Sequence, residues 1–207
     1  MAFMLGGVGA KEHVHIARSA DAEAITRTIS LAFHEDPTWG WAFPDAERRQ
    51  EQYMIWWRLF VDGAMRYPWV LATERCEAAA IWITPDGTEM SQEDKARVPS
   101  LLRELVGDHA PSFLELLGRF DDARPADPPH FYLSLLGVHD DHRGKGLGMK
   151  MLRENLSRFD ALGMPTYLES SNRANNPKYE SVGYDSIGEF TTPDDSVVIT
   201  KYWREAA

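Results

Sequence analysis

The order of the predicted elements indicates one α/β or α+β domain built on a mixed sheet. Strand-like and helix-like segments follow one another as βααββ, then two helices, then βαβαβ with a late additional strand. The 207 residues suffice for one well-buried core, whereas a second full domain would be cramped. The composition, 43% hydrophobic and 26% charged, is ordinary for a soluble globular protein.

The chain is predicted to begin with a disordered tail over residues 1–12, followed by a single domain over 13–207. The tail has a short apolar run but lacks the basic start and the cleavage site of a signal peptide. The domain opens with residues 13–20, HVHIARSA, which we interpret as the first strand.

Two helices with a loop between them are predicted next. The first covers residues 21–36, where Ile25 and Ile29 recur at helical spacing and a following proline sets the limit. Residues 36–45, DPTWGWAFPD, combine turn-forming and aromatic residues and are expected to form the loop. The second helix covers 46–67 and carries its aromatic residues on one side.

The middle of the chain is predicted to form a hairpin and two more helical pieces. The β-rich runs 69–75 and 78–85 lie so close together that an antiparallel hairpin is natural. Residues 91–126 have a helical pattern that we expect to break at Pro111. A proline-rich loop follows at 124–129.

The second half of the chain alternates strands and helices more regularly. Residues 130–138 form an almost continuous apolar run, as expected of a strand buried on both faces. After a glycine-rich loop, an amphipathic helix ends near Gly163. A strand at 165–171, a short helix within 175–184 and a final strand at 196–204 complete the prediction.

The formal net charge of −10 narrows the function classes. It disfavours a nucleic-acid partner, which calls for a basic surface, and it mildly favours a cationic small substrate. Solubility alone also explains an acidic balance, and we give that explanation more weight. No run approaches the roughly 18 apolar residues of a membrane helix, so no membrane partner is expected. The single cysteine, Cys76, excludes an intramolecular disulfide and fits a reducing cytoplasm.

The glycine-rich loop, residues 142–148 (HRGKGLG), has the arrangement of an anion site between a strand and a helix. The first turn of a helix offers unpaired N–H groups, and glycines let the preceding backbone approach a phosphate. Arg143 and Lys145 add positive charge, although Lys145 fits a solvated position equally well. The spacing matches neither the P-loop nor the Rossmann fingerprint, and a plain flexible loop is the remaining alternative.

Here the sequence resembles the GNAT superfamily of acyl-CoA-dependent N-acyltransferases, over roughly residues 16–203. Arg143, Gly146 and Gly148 match that family's Arg/Gln-x-x-Gly-x-Gly/Ala pyrophosphate loop, and YESVGY at 179–184 matches its Tyr-Glu-x-x-Gly-Phe/Tyr motif. The second half looks most similar to the puromycin N-acetyltransferase-like branch. The resemblance implies a mostly antiparallel central sheet flanked by helices, with splayed strands that form the acyl-CoA cleft.

The resemblance also implies acetyl-CoA as co-substrate, with no metal, and it assigns the residues that would bind it. The pantetheine arm would bond to the strand backbone at Leu136, Gly137 and Val138. Asn172 and Asn175 would lie near that arm. The pyrophosphate would bind the loop amides from Arg143, Gly144, Lys145, Gly146, Leu147, Gly148 and Met149.

For catalysis, the resemblance places Tyr179 at the family's general acid, whose phenol would protonate the departing thiolate. Family members often carry a glutamate base on the strand before the loop, but residues 131–138 supply none. Glu169 on the next strand is our first candidate base, and a purely structural role for it stays open. A water relayed through Ser134 or backbone carbonyls is the alternative.

The acceptor wall is predicted within residues 35–45. Glu35 and Asp36 would meet an ammonium group, and Trp39 and Trp41 would stack on the acceptor. For each aromatic residue alone, a cover for the sheet is the preferred explanation, whereas the segment as a whole is expected to form a substrate wall. Residues 139–142 (HDDH) resemble a metal site only weakly, and a turn is the preferred interpretation.

We therefore expect a cytoplasmic N-acetyltransferase, monomeric or homodimeric, that transfers acetyl from acetyl-CoA directly to a primary amine in a ternary complex. A small cationic amine, with an antibiotic of the puromycin kind among the options, is the preferred acceptor. A protein or peptide amine is the alternative acceptor. A non-catalytic acyl-CoA-binding sensor is the alternative from another functional class.

Overall fold

A seven-stranded mixed sheet in the order β1-β2-β3-β4-β5-β7-β6 organises the chain. The computed structural model describes residues 14–207, so the tail predicted over 1–12 lies outside the described residues. The strands are β1 (Val14–Ile16), β2 (Val70–Thr73), β3 (Ala78–Ile83), β4 (Phe131–Val138), β5 (Thr166–Ser170), β6 (Asp185–Thr191) and β7 (Val198–Arg204). Only β4 and β5 pair in parallel among these neighbours, so the mostly antiparallel sheet that was predicted is confirmed.

Helices cover both faces of this sheet. They are α1 (Ala22–Ala32), α2 (Pro37–Ala42), α3 (Arg49–Ala64), α4 (Gln92–Val106), α5 (Ala110–Ala123), α6 (Leu147–Ala161) and α7 (Asn176–Glu180). One face packs an aromatic-rich core against α1, α3 and the α4–α5 pair. The other face packs against α6, where the buried Trp82 indole donates to Asn155 Oδ1 at 2.8 Å. Across residues 14–207, every helix is too short or too polar to cross a membrane.

The predicted boundaries are wrong at the first strand, which ends at Ile16 rather than at residue 20. A short 3-10 turn at Ser19–Asp21 interrupts it, because the Asp21 carboxylate accepts a hydrogen bond from the Arg18 N–H at 2.8 Å. This local side-chain bond competes with continued strand pairing.

The loop predicted over 36–45 is also wrong in part, since α2 occupies its first half. The Asp36 carboxylate caps α2 by accepting from the N–H groups of Thr38 and Trp39, at 3.0 and 3.1 Å. Pro37 occupies the first turn, where its missing N–H costs nothing. The aspartate–proline pair that resembled a turn is therefore a helix start.

The break between α4 and α5 lies at Gly107, not at the predicted Pro111. Gly107 has a φ of +56°, a conformation that glycine adopts without strain, and it ends α4. Pro111 lies instead in the first turn of α5. A proline there begins a helix more often than it ends one.

Two irregularities in β4 shape the sheet around a cleft. Ile81 of β3 pairs with Leu135 and Trp82 pairs with Leu133, so Ser134 is an extra, bulged residue. The parallel pairing of β4 with β5 joins Phe131 to Thr166 and Tyr132 to Tyr167, after which the strands separate. The splayed strands that were predicted are present.

Candidate active site

The described residues line two adjoining cavities near the point where β4 and β5 separate. The larger cavity, about 610 Å³, lies beneath α1, α3, α4 and α5. The smaller cavity, about 450 Å³, lies along the glycine loop and the end of β4. They share a border formed by Ala32, Leu136, Arg143, Asn175, Lys178 and Tyr179. A ligand in one cavity would therefore meet a ligand in the other at this border.

The glycine loop presents open backbone to the smaller cavity. Gly144 and Gly146 have φ values of +76° and +75°, and a Cβ atom built on either would meet no atom within 4 Å. Gly146 lies directly before α6, whose first turn begins at Leu147. Gly148 packs closely on β4, since a Cβ there would lie 3.0 Å from Val138 Cγ2. The loop thus combines an open approach with the positive end of a long helix.

The structure brings most of the predicted cofactor residues to the smaller cavity. Lys145 and Asn172 are the exceptions among them. The Lys145 ammonium donates to the Asp141 carbonyl at 3.2 Å, and Asn172 borders the larger cavity instead. The residues that do line the smaller cavity are Leu136, Gly137, Val138, Arg143, Gly144, Gly146, Leu147, Gly148, Met149 and Asn175.

Arg143 fastens the glycine loop to the end of α1. Its guanidinium donates to the carbonyls of Leu31 at 2.7 Å and Ala32 at 3.2 Å. These carbonyls form the negative end of α1, which a cation stabilises. The same side chain borders both cavities, so it couples the position of α1 to that of the loop.

Tyr179 lies on α7 at the border between the cavities. Burial, and then the nearby Asp36 carboxylate, raise the pKa of its phenol above the ordinary value. The hydroxyl therefore keeps its proton at neutral pH. The rings of Tyr202 and Tyr184 lie 6.0 and 6.3 Å away and fix the Tyr179 ring. Tyr179 therefore borders both cavities with a protonated hydroxyl group.

Two asparagines hold the backbone that carries Tyr179. The Asn172 Oδ1 atom accepts from the Ala174 N–H at 3.0 Å, and the Asn175 Oδ1 atom accepts from the Lys178 ammonium at 2.8 Å. Both asparagines therefore shape the turn before α7 in addition to bordering a cavity.

Glu169 of β5 lines the larger cavity. Burial raises the pKa of its carboxyl to about 8, although the hydroxyls of Tyr132 and Tyr167 favour the ionised form. The nearby Glu89 carboxyl also raises the pKa of Glu169. Glu169 is thus a largely protonated acid at neutral pH.

Glu89 is a site residue that the sequence interpretation missed. It lies shortly after the end of β3, lines the larger cavity and accepts a hydrogen bond from the Ser134 hydroxyl. Burial raises the pKa of its carboxyl. The one available signal was its position just beyond β3, the strand that pairs with β4.

Of the four residues predicted to form the acceptor wall, all except Trp41 line the larger cavity. Glu35, Asp36 and Trp39 line the larger cavity. Trp41 points elsewhere: its indole donates to Asp194 Oδ2 at 2.9 Å, and its ring lies 4.6 Å from that of His109. The side chain of Trp41 therefore belongs to a surface contact between α2 and the β6–β7 turn.

Asp36 is mainly a structural carboxylate. Besides capping α2, it accepts from the Ser171 hydroxyl at 2.7 Å, and burial raises its pKa to about 6. The Thr38 hydroxyl donates to the Ser171 carbonyl at 2.7 Å. This pair of bonds joins α2 to the segment that leads from β5 to Tyr179.

The remaining wall of the larger cavity is apolar. Trp39 stacks on Phe120 at 5.7 Å and meets Trp57 edge-on at 4.6 Å. Further apolar lining comes from Phe33, Phe60, Met90, Val98, Pro99, Leu114 and Leu117. The lining of the cavity therefore combines carboxyl groups with aromatic and aliphatic side chains.

Two other candidates have structural explanations. Ligand atoms of His139, Asp140 and Asp141 lie within 4.8 Å of one another, and His139 Nδ1 accepts from the Asp141 N–H at 3.3 Å to close the turn. Cys76 is buried in the β2–β3 hairpin, and burial raises the pKa of its thiol to about 11. A thiol in that state is a poor nucleophile.

Comparison with known proteins agrees with the fold. A model of the acetyltransferase (GNAT) family matches residues 29–184. An uncharacterized N-acetyltransferase of Schizosaccharomyces pombe is 35% identical over 74 residues, which are 35% of this chain and 30% of that protein. The match therefore spans less than a third of that relative's length.

Two solved structures share the fold at low identity. One, from Corynebacterium glutamicum, is described as histone acetyltransferase HPA2 and related acetyltransferase, with a TM-score of 0.66 and 21% identity over 94% of this chain and 96% of that chain. The other is a Drosophila melanogaster polyamine N-acetyltransferase that forms N-acetylagmatine, with a TM-score of 0.60 and 14% identity over 93% and 99% of the two chains. The puromycin N-acetyltransferase-like branch is not singled out by these similarities. Since the family model matches most of its length, the chain belongs to the GNAT family of acetyltransferases.

Proposed function

We propose that the protein transfers an acetyl group from acetyl-CoA to the primary amine of a small molecule. The observation that supports this proposal best is the border between the cavities, where Tyr179 faces both. A thioester in the smaller cavity and an amine in the larger one would meet at this tyrosine. Direct transfer in a ternary complex needs such a meeting point.

The smaller cavity fits acetyl-CoA, which supplies an activated acetyl thioester when bound. The backbone at Gly144 and Gly146 is open, with no atom within 4 Å of an added Cβ, and the first turn of α6 adds unpaired N–H groups. These groups would hold the pyrophosphate. The β4 backbone from Leu136 to Val138, which is free of β5, would accept the pantetheine arm.

The acid step would fall to Tyr179. Its Oη atom would give a proton to the departing sulfur, and the raised pKa keeps that proton available until the carbon–sulfur bond breaks. Glu169 is the proton acceptor that the sequence suggested, and its carboxyl lines the cavity that would hold the amine. Tyr179 would thus act by moving a proton at a defined atom, whereas the raised pKa of Glu169 leaves its carboxyl a weak proton acceptor at neutral pH.

The acceptor would be a primary amine that carries an apolar body. The carboxyl groups of Glu35, Glu89, Asp121 and Glu169 border the larger cavity and would attract an ammonium group. Trp39, Trp57 and Phe120 in the same lining suit an aromatic or aliphatic body. The Drosophila enzyme acts on agmatine, and the resemblance to the puromycin branch adds aminonucleoside antibiotics to the amines to be tested.

The test is acetyl-CoA turnover, followed by thiol release, against a panel of amines. The panel contains puromycin, arylalkylamines, agmatine and other polyamines, aminoglycosides, amino acids and short peptides. We expect the highest kcat/KM for a primary amine with one charge and an apolar body. Tight acetyl-CoA binding without turnover of any amine would contradict the proposal and favour a CoA-binding sensor.

Tyr179→Phe removes the proposed proton donor and little else. We expect kcat for the best amine to fall about 10²- to 10⁴-fold, with the acetyl-CoA KM nearly unchanged, because general acid catalysis contributes that much. Steady-state kinetics at neutral pH measure both constants. Tyr184→Phe, in the same cluster of rings but outside the cavity linings, is the matched control and should keep wild-type kcat. Equal rates for the two variants would exclude Tyr179 as the acid.

A further inference from the structure

The bulge in β4 gives Ser134 a position that a regular strand would not. Leu133 and Leu135 each have a partner on β3, while Ser134 is the extra residue between them. Its hydroxyl lies at the larger cavity and donates to the Glu89 carboxylate. A carboxylate from the segment after β3 is thereby brought to β4, a strand that has no acidic residue of its own.

The backbone around Glu89 is held rigidly against the end of α3. A Cβ atom on Gly63 would lie 1.9 Å from the Glu89 carbonyl oxygen. The two backbone segments therefore touch at a position where only glycine fits. The Arg66 guanidinium donates to the Thr88 carbonyl at 2.7 Å, and the Tyr67 hydroxyl accepts from the Thr88 N–H at 3.0 Å. This segment is therefore built to keep the carboxylate in one place, which is the condition for a precise proton transfer.

The charges around Glu89 differ from those around Glu169. Arg124 and Lys95 favour the ionised form of Glu89, against burial and the Asp121 carboxylate. Glu169 has a pKa of about 8 and faces Tyr132, Tyr167, Arg124 and Glu89. Two carboxyl groups that lie close together do not both ionise readily, because their negative charges repel each other. Of the two, Glu89 is the carboxyl group that faces both Arg124 and Lys95 and accepts a hydrogen bond from the Ser134 hydroxyl.

We propose that Glu89, held by Ser134, receives the ammonium group of the acceptor and takes its proton. This inference rests on the proposed acetyl transfer. The ammonium first gives a proton to the Glu89 carboxylate and becomes a neutral amine. When the new carbon–nitrogen bond forms and the carbon–sulfur bond breaks, the nitrogen gives up a second proton, which replaces the one that Tyr179 donates to sulfur. Glu89 then releases its proton to water, so one proton is produced for each acetyl group transferred.

The test compares Glu89→Gln with Glu169→Gln on the best amine substrate of the wild-type protein, across pH 6 to 10. We expect Glu89→Gln to lower kcat/KM about 10²-fold or more at neutral pH. Its rate should then rise tenfold per pH unit up to the pKa of the amine, because the variant uses only free amine from solution. Glu169→Gln should keep the acidic limb of the wild-type profile, which is the fall of kcat/KM as the pH is lowered.

Ser134→Ala provides a second readout that does not remove the carboxylate. Losing a hydrogen bond to the ionised form raises the pKa of a carboxyl group, so the acidic limb of kcat/KM should move to higher pH. Wild-type kcat/KM and an unmoved acidic limb in Glu89→Gln would overturn the inference. If Glu169→Gln lost the acidic limb and Glu89→Gln kept it, the base would be Glu169 instead. A wild-type protein that acetylates no amine would overturn the proposed function, and this inference with it.

Discussion

Gly137 illustrates how one residue fixes the position of the cleft. It is buried in the part of β4 that does not pair with β5, and a Cβ atom there would lie 2.8 Å from Ile29 Cδ1 and 2.9 Å from Ala32 Cβ. A glycine within a strand often marks a close backbone approach, and here the element that approaches is α1. The absence of a side chain therefore lets α1 rest on β4, which brings Ala32 to the border between the cavities.

Gly137→Ala should destabilise the protein by about 1–3 kcal/mol, the usual cost of an extra methyl group in a packed interior. The new methyl group would displace α1 and also raise the acetyl-CoA KM, because Arg143 binds the end of that helix. Urea unfolding measures the first effect and steady-state kinetics the second.

Gly118→Ala is the matched control for this substitution. Gly118 lies inside α5, and a Cβ atom there would meet nothing within 4 Å. Alanine should stabilise this helix interior by about 1 kcal/mol. If the two variants unfolded at the same urea concentration, the close packing of α1 on Gly137 would not matter for stability.

At the scale of elements, the glycine loop and α6 act as one unit. Gly146 has a φ of +75° directly before the helix, so its conformation sets where the first free N–H groups of α6 point. Gly146→Ala should cost about 1–2 kcal/mol of stability, because an L side chain disfavours positive φ. It should also raise the acetyl-CoA KM by at least tenfold, since the added Cβ would keep the pyrophosphate from the loop backbone. Calorimetric titration with CoA measures the same loss directly.

Gly107→Ala separates backbone strain from ligand contact. Gly107 has a φ of +56°, also with no atom within 4 Å of an added Cβ, but it lies between α4 and α5 outside both cavity linings. We expect a similar loss of stability and an unchanged affinity for CoA. A common effect of both variants on affinity would mean that the loop does not hold the pyrophosphate.

Elements with strong local signals were predictable from the sequence. The run 130–138 and the glycine loop could be placed because apolar continuity and positive-φ glycines act locally. The helix α2 was missed because aspartate and proline start both turns and helices, and only the Asp36 cap bonds distinguish the two. The bulge at Ser134 has no local signal, since it arises from the register of two strands.

At the scale of the whole molecule, the site depends on contacts between distant parts of the chain. Glu89 and Ser134 are 45 residues apart, and Thr38 and Ser171 are 133 residues apart. Tyr179 could be proposed from the sequence because it belongs to a motif, whereas Glu89 belongs to none. Trp41 carried the same aromatic signal as Trp39, but only tertiary packing decides which of them faces the cavity.

Burial of carboxyl groups makes the stability of the whole molecule depend on pH. Burial raises the pKa of Glu169 to about 8 and that of Asp36 to about 6, above their ordinary values. The folded state therefore binds more protons than the unfolded state at intermediate pH, and stability rises as the pH falls. Burial lowers the pKa of His130, which opposes this trend at more acidic pH.

Glu169 should dominate this dependence between pH 8 and 6.5. In that window the unfolded carboxyl is ionised while the folded one gains its proton, so the free energy of unfolding should rise by about 1 kcal/mol per pH unit on acidification. Urea unfolding at several pH values measures the slope. Glu169→Gln should remove most of it, because an amide does not titrate, whereas Glu104→Gln on the exposed face of α4 should keep it. A wild-type slope in Glu169→Gln would mean that this carboxyl is ionised in the folded protein, and Glu169 would then regain its candidacy as the base.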